Sequence, residues 1–324
     1  MTKRILSGIQ PSGKLHIGNY LGAMRQHIAS QELPGCESYF FIANYHSLTT
    51  LKDPAQLREL SLDVARSYLA LGLDPDKCLL FLQSDVPEVC ELAWILSTLT
   101  PMGWLERCTS YKDKRARGIA ADHGLFAYPV LQAADILIYG SHLVPVGADQ
   151  KQHIEVCRDI ALRFNQLYGP VLTVPEPAIR EEVAVVPGTD GQKMSKSYGN
   201  TIDLFAPAKT LKSQVMSIVT DSRGLAEPKD PDSCRILALY RHFASAAEVD
   251  EMERAYRAGG YGYGHAKAAL LAKLQAFLEP HRARYDHLLH HPAEVLEVLR
   301  KGGERARSVA QLTMAAVREA VGLL

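Results

Sequence analysis

Arg4-Ile-Leu-Ser-Gly-Ile-Gln-Pro-Ser-Gly-Lys-Leu-His-Ile-Gly-Asn-Tyr-Leu21 is the stretch whose reading decides the fold. Arg4 to Ile9 reads as a short buried strand and Gln10-Pro-Ser-Gly13 as a turn. Leu15 opens a helix that carries Ile17, Leu21, Met24 and Ile28 at helical spacing. A strand that passes through a tight turn into a helix is the repeating unit of a parallel sheet, and the unit recurs downstream. Tyr39 to Ala43 reads as a strand, Asp53-Pro54 opens a helix that runs to Leu71, Gly72 stops it, and Cys78 to Gln83 is the next strand. The alternation predicts an α/β fold of Rossmann type with a doubly wound parallel sheet.

The pattern continues with a helix over Tyr128 to Tyr139, a strand over His142 to Val146, a helix over Gln150 to Tyr168 and a short strand over Val183 to Val186. Residues 88–124 break the alternation. They hold Pro101, Gly103 and a basic run at Lys112, Lys114, Arg115 and Arg117, and are expected to form a helical insertion. Beyond Asp203 the periodicity is helical only, over Pro207–Val219, Arg235–Ser245, Ala247–Arg257, His265–Leu289, Ala293–Arg300 and Glu304–Leu323. The expected division is a catalytic domain over 1–202 and an all-helical domain over 203–324.

The 324 residues suffice for one large and one smaller core. Lys and Arg total 36 and Asp and Glu total 36, so no global positive field points to nucleic acid, and any RNA contact needs a local patch. Residues 203–324 carry 17 Lys and Arg against 15 Asp and Glu, an excess too small to decide the matter. The six cysteines contain no Cys-x-x-Cys pair, which argues against a zinc knuckle or a disulfide framework and for buried thiols in a reducing cytoplasm. No apolar stretch reaches membrane-spanning length.

Two elements carry chemistry. Lys193-Met194-Ser195-Lys196-Ser197 places two ammonium groups and two hydroxyls in a loop flanked by Gly188, Gly191 and Gly199. Such a loop suits gripping a polyphosphate while charge builds up in transfer. The other is Pro11-Ser-Gly-Lys-Leu-His-Ile-Gly-Asn19, at the strand-to-helix handover where α/β sheets bind nucleotides and a helix N-terminus attracts phosphate. His16 and Asn19, three apart, share a helix side and can donate hydrogen bonds to phosphate without a fixed charge. Taken alone, His16 could equally cap the helix and Gly18 could be a packing glycine.

At these residues the chain resembles class I aminoacyl-tRNA synthetases. Their signatures are a His-Ile-Gly-His-like tetrapeptide, here His16-Ile17-Gly18-Asn19, and Lys-Met-Ser-Lys-Ser, complete at Lys193 to Ser197. The resemblance is nearest to the tryptophanyl branch: Ser7 to Gly13, Gly18 to Ala23, Leu105-Glu-Arg107, Tyr128 with Ala133-Ala-Asp-Ile-Leu137, and Val144 to Gln150 followed by His153. It runs from residue 4 to the C-terminus.

The resemblance implies activation of L-tryptophan with ATP to tryptophanyl-adenylate and pyrophosphate, then transfer to the 3' end of a tRNA(Trp). Lys193, Lys196, Ser195 and His16, with Lys114 of the insertion, would be the catalytic groups. Gln10, Pro11, Ser12, Gly18, Asn19, Gly147, Ala148, Asp149, Val186, Met194 and Ser197 would complete the ATP site. Asp135 would accept the indole N–H, with Tyr128, His46, Gln132 and Gln150 forming the rest of the tryptophan site. Mg²⁺ would come with ATP, held by its phosphates and by no dedicated protein site. The helices of 203–324 would read the anticodon, and the protein would be a cytoplasmic homodimer.

An iron–sulfur cluster, found in a subset with Gln at the position of Gln132, is not expected. Cys234 is present, but Arg257, Gly264 and Lys267 stand at the other ligand positions. Without the resemblance, Asp135 reads sooner as a carboxylate that caps or pairs locally, and Lys114 reads as readily as part of a solvated basic face. The alternatives are a tyrosyl-tRNA synthetase, a small-molecule adenylyltransferase and a non-catalytic RNA-binding relative.

Overall fold

A computed structural model gives the fold and describes residues 2–108, 111–112, 122–147, 150–179 and 186–324. Five strands form one parallel sheet: β1 (Lys3–Ile9), β2 (Cys36–Ile42), β3 (Cys78–Leu82), β4 (Leu143–Val146) and β5 (Glu176–Ile179), in the order β3-β2-β1-β4-β5. Neighbours in sequence on the central strands are both buried: Ile5 and Leu6 are 2% and 1% exposed, Tyr39 and Phe40 3% and 1%. Both faces of the sheet are therefore covered, as parallel sheets require. The chain builds outward from β1 through β2 to β3, then returns to lay β4 on the other side of β1. That reversal opens a crevice beyond the C-terminal ends of β1 and β4.

The first crossover is not one regular helix. Ile17–Asn19 (α1) leads into a π-helical turn over Tyr20–Met24, then Arg25–Ser30 (α2). After β2 and a short α3 (Asn44–Ser47), α4 spans Pro54–Ala70. Asp53 caps it by accepting the Ala55 and Gln56 N–H groups at 2.8 and 3.1 Å, a contribution of about 1 kcal/mol. The described part of the insertion is helical, with α5 (Glu88–Ser97) and α6 (Met102–Glu106). Helix α7 (His123–Leu137) begins five residues before the expected Tyr128, because Asp122 caps it through Leu125 N–H and Pro129 is accommodated inside it. Helix α8 (Lys151–Tyr168) packs against it.

The strand expected over Val183–Val186 is not the fifth strand. Its first three residues lie outside the described ones, and β5 is Glu176–Ile179. Pro175 and Pro177 hide this strand from a propensity reading, yet proline is tolerated there because β5 is the outermost strand.

Past Asp203 the described residues hold no strand, as expected, but helices: α9 (Ala208–Met216), α10 (Arg235–Tyr240), α11 (Ala246–Ala258), α12 (Tyr263–His290) and α13 (Pro292–Val321). The two last expected helices, split at Lys301-Gly302-Gly303, are one helix. The glycines do not break it; they let it approach β3. A Cβ on Gly302 would lie 2.1 Å from the Leu80 carbonyl oxygen. Val295 and Leu299 of α13 join the core on one side of the sheet, while Ala306, Ala310, Met314 and Val317 join the core on the other.

Polar links fasten the helices to the sheet. Arg282 donates to the Phe205 and Ala206 carbonyls at 3.2 and 2.8 Å, and Arg307 and Arg318 reach Glu88 and Glu91 at 2.8 and 2.7 Å.

Candidate active site

A cleft of about 460 Å³ opens at the C-terminal ends of β1 and β4. β1 and the turn after it supply Leu6, Ser7, Gly8 and Gln10, and β4 with the residue after it supplies Val144 to Gly147. Helix α7 contributes Tyr128, Gln132 and Ile136, which follow at helical spacing and so share a face. His46 and Thr49 close one side, Gln150 and His153 the other. Of the described lining residues none is Asp, Glu, Lys or Arg.

The two sequence elements meet beside the cleft's Gln10 turn. Lys196 Nζ donates to the Gly13 carbonyl at 2.7 Å and reaches Ser12 Oγ at 3.5 Å. Gly13 holds φ at +134°, a conformation L side chains avoid, and a Cβ there would press on Lys196 Cδ at 3.1 Å. Met194 is the anchor of the lysine loop: it is buried, its N–H donates to the Val186 carbonyl at 2.9 Å, and its Sδ accepts the Gly18 N–H at 3.3 Å. Lys193 and Ser197 remain exposed, and Ser195 Oγ and Ser197 Oγ are 2.9 Å apart.

Buried Asn200 holds the loop from behind. Its Oδ1 accepts the Ser195 N–H at 2.7 Å, and its Nδ2 donates to Asp190 at 2.7 Å and to the Lys193 carbonyl at 3.1 Å. Sequence reasoning missed this residue; the only signal was an amide directly after Gly199.

His16 is buried and its pKa is lowered to about 4 by desolvation, with Lys196 adding to the effect and Asp203 opposing it. It is a neutral imidazole at physiological pH, as the sequence reading required of a donor without charge. Asn19 Oδ1 accepts the His16 backbone N–H at 3.1 Å. The space above Gly18 is taken by His16 and Met194: a Cβ would sit 2.9 Å from His16 Nδ1 and 3.3 Å from Met194 Cβ. Gly18 therefore serves close packing between the two elements. Pro11 accepts from Ser47 Oγ at 3.3 Å, and Gln10 reaches the His46 carbonyl at 3.4 Å. Lys114, Ala148 and Asp149 lie outside the described residues.

The expected tryptophan residues cluster at the inner end. Tyr128 OH and His153 Nε2 are 2.7 Å apart, and Gln132 and Gln150 line the cleft. Asp135 is 1% exposed and sits behind that lining, bonded by His46 Nε2 at 2.8 Å and by Gln83 Nε2 at 2.8 and 2.9 Å. Burial raises its pKa and these bonds oppose the rise. Gln83 was not legible in sequence, being the polar end of an otherwise apolar strand.

One group with metal-ligand spacing exists among the described residues, His287, His291 and Glu294; it is exposed and shares no residue with the cleft. Cys234 is buried, with its Sγ 3.4 Å from Tyr256 OH.

A lysine loop docked on the strand–turn–helix element beside a topological switch point is the geometry of an α/β fold that binds nucleotides at this crevice. Residues 2–279 match the family described as tRNA synthetases class I (W and Y), and the chain belongs to it. Over 320 residues it is 51% identical to a tryptophan–tRNA ligase of Campylobacter jejuni, covering 99% of this chain and 100% of that protein. A tryptophan–tRNA ligase of Fusobacterium nucleatum is 52% identical over 323 residues, covering 99% and 98%. The Campylobacter jejuni tryptophanyl-tRNA synthetase structure complexed with ADP and tryptophan superimposes with a TM-score of 0.92 at 50% identity, covering 98% of this chain and 99% of that one.

Proposed function

We propose that the chain is a tryptophan–tRNA ligase that forms tryptophanyl-adenylate from L-tryptophan and ATP, releases pyrophosphate and charges tRNA(Trp) at its 3' end. The observation that carries this reading is Lys196 docked on Gly13 and Ser12 of the turn after β1, a turn whose Gln10 lines the cleft together with Tyr128, Gln132 and His46. The tryptophan carboxylate is already a nucleophile, so the enzyme contributes alignment and charge stabilisation and no general base. Lys193 and Lys196 hold the β- and γ-phosphates, Ser195 and Ser197 add hydrogen bonds, and neutral His16 and Asn19 donate to the phosphates from the helix start. Lys114 of the insertion joins them. The turn Gln10–Ser12, Gly147 to Asp149 and the Val186 backbone hold the nucleoside.

Mg²⁺ enters with ATP, held by phosphate oxygens and water. Asp135 supplies the acceptor for the indole N–H. Residues 203–324 act as the anticodon-reading domain beside a catalytic domain over 1–202, in a cytoplasmic setting where the tRNA is found. The working unit is a homodimer: Trp94 and Leu48, 73% and 47% exposed, line a shared apolar hollow on the insertion side, which a second copy would cover. Trp94→Glu with sedimentation velocity tests this, a monomer being expected.

Amino-acid-dependent ATP–pyrophosphate exchange across the twenty amino acids, followed by tRNA charging, tests the activity. Exchange with tryptophan and charging of tRNA(Trp) is the expected result. Exchange with tyrosine alone, or exchange without charging, would sink the assignment.

A further inference from the structure

Gln83 is a buried amide that belongs to no sequence motif, yet both of its ends are committed. It is 1% exposed and starts a 3₁₀ turn (Gln83–Asp85) at the C-terminal end of β3. Its Oε1 accepts the Tyr45 backbone N–H at 2.9 Å. Turning the amide over would set donor against donor, so its orientation is fixed by the main chain. Its NH₂ therefore faces Asp135 and donates to Oδ1 at 2.8 Å and Oδ2 at 2.9 Å. The position of Gln83 is set by the ends of two strands. Asn44 and Ser84 clamp the segments after β2 and β3, the Asn44 amide donating to Ser84 Oγ at 2.7 Å and accepting the Ser84 N–H at 3.1 Å.

Asp135 needs such a partner. A carboxyl buried this deeply tends to take up a proton, and a protonated carboxyl presents an O–H where an acceptor is required. A carboxylate offers about four lone-pair positions. Gln83 and His46 together make three bonds to it, which leaves one acceptor position for one further donor. Asp135 lies on the face of α7 that carries Tyr128 and Gln132 into the cleft, since positions 128, 132 and 135 follow at i, i+4 and i+7.

We infer that Gln83 is a positioning residue that orients the Asp135 carboxylate as a single-acceptor site for the indole N–H, and thereby sets selectivity for tryptophan. The inference rests on the role proposed above for Asp135. It acts through Asp135 and not through substrate, so its loss changes which ring is accepted more than how fast bound substrate reacts.

The test compares L-tryptophan with its benzothienyl analogue, in which sulfur replaces the indole N–H, in ATP–pyrophosphate exchange by the full-length enzyme. Gln83→Leu should reduce the preference for tryptophan by about tenfold, the factor expected for one buried hydrogen bond, with KM for ATP unchanged. Gln83→Glu retains shape but sets a second carboxyl against Asp135, so the two share a proton and the preference becomes pH-dependent, returning only at higher pH. Equal loss of kcat/KM for both substrates in Gln83→Leu, together with a pH-independent preference in Gln83→Glu, would show that Gln83 only packs. Asp135→Ala separates the two levels. If it retains the preference, the assignment of Asp135 fails; if it loses the preference while both Gln83 variants keep it, the inference about Gln83 alone fails.

Discussion

Lys196 Nζ and the Gly13 carbonyl oxygen are 2.7 Å apart although 183 positions separate the residues in sequence. This bond docks the lysine loop on the first turn of the fold, the turn whose Gln10 lines the cleft. Burial lowers the Lys196 pKa, with Asp63 and Asp203 opposing. A partly desolvated cation beside a backbone carbonyl gains most when polyphosphate charge replaces that carbonyl as its partner.

Lys196→Ala should therefore lower the rate of adenylate formation by about 10²-fold or more, the usual loss for one group aimed at developing charge. Tryptophan binding should stay within twofold. Single-turnover pyrophosphate release and equilibrium tryptophan binding measure the two; equal losses would make the loop a structural element only.

Asn200 holds three groups of the loop region, so Asn200→Ala strands the Ser195 N–H and frees the Lys193 carbonyl. The cost is about 1 to 3 kcal/mol of local order. The expected outcome is a raised KM for ATP and a lowered kcat at unchanged KM for tryptophan, with global unfolding shifted little. A variant with wild-type ATP kinetics would remove Asn200 from the loop's support.

His27 is fully buried, its Nδ1 2.6 Å from Tyr68 OH, and burial pushes its pKa down to about 4. Because the folded state excludes a proton that the unfolded state binds, stability rises with pH between those two values. The contribution is complete above about pH 6.5 and is lost progressively as pH falls toward 4, amounting to about 3 kcal/mol at most. Urea denaturation across that window should show the slope, and His27→Gln should flatten it.

Gly302→Ala should destabilise by more than about 2 kcal/mol despite the better helix propensity of alanine, because the new methyl meets the Leu80 carbonyl at 2.1 Å. Gly264→Ala, in the first turn of α12 with nothing within 4 Å of a Cβ, should be neutral or stabilising. Urea midpoints of the two variants provide the comparison.

The alternation of β1, β2 and β3 with their crossovers was legible because strands buried on both faces leave continuous apolar runs, as in Leu79-Leu80-Phe81. β5 was not, since Pro175 and Pro177 mask a strand that only its edge position permits. The unbroken α13 was hidden for a related reason: Gly302 and Gly303 look like a stop until the Leu80 backbone appears against them. At the site, Lys193, Lys196 and His16 announce themselves through charge, hydroxyls and glycines within a few residues. Gln83 and Asn200 do not, because each is a single amide whose partners, Asp135 and Tyr45 or Lys193 and Ser195, are defined by folding. Asp135 was singled out as the one carboxylate on an apolar helix, but its partners His46 and Gln83 come from segments that no local pattern brings together.

The approach of α13 to β3 has a consequence for the molecule in a crowded solution. β3 ends the sheet, and a terminal parallel strand with free main-chain groups invites another chain to extend it. The helix backbone lies against Leu80 and its side chains enter the cores on both sides, so the border of the sheet is sealed by a helix more than 200 residues further along the chain. Until α13 is synthesised that border is open. Chains truncated before Pro292 should therefore self-associate through β3, however intact the lysine loop and its phosphate seat.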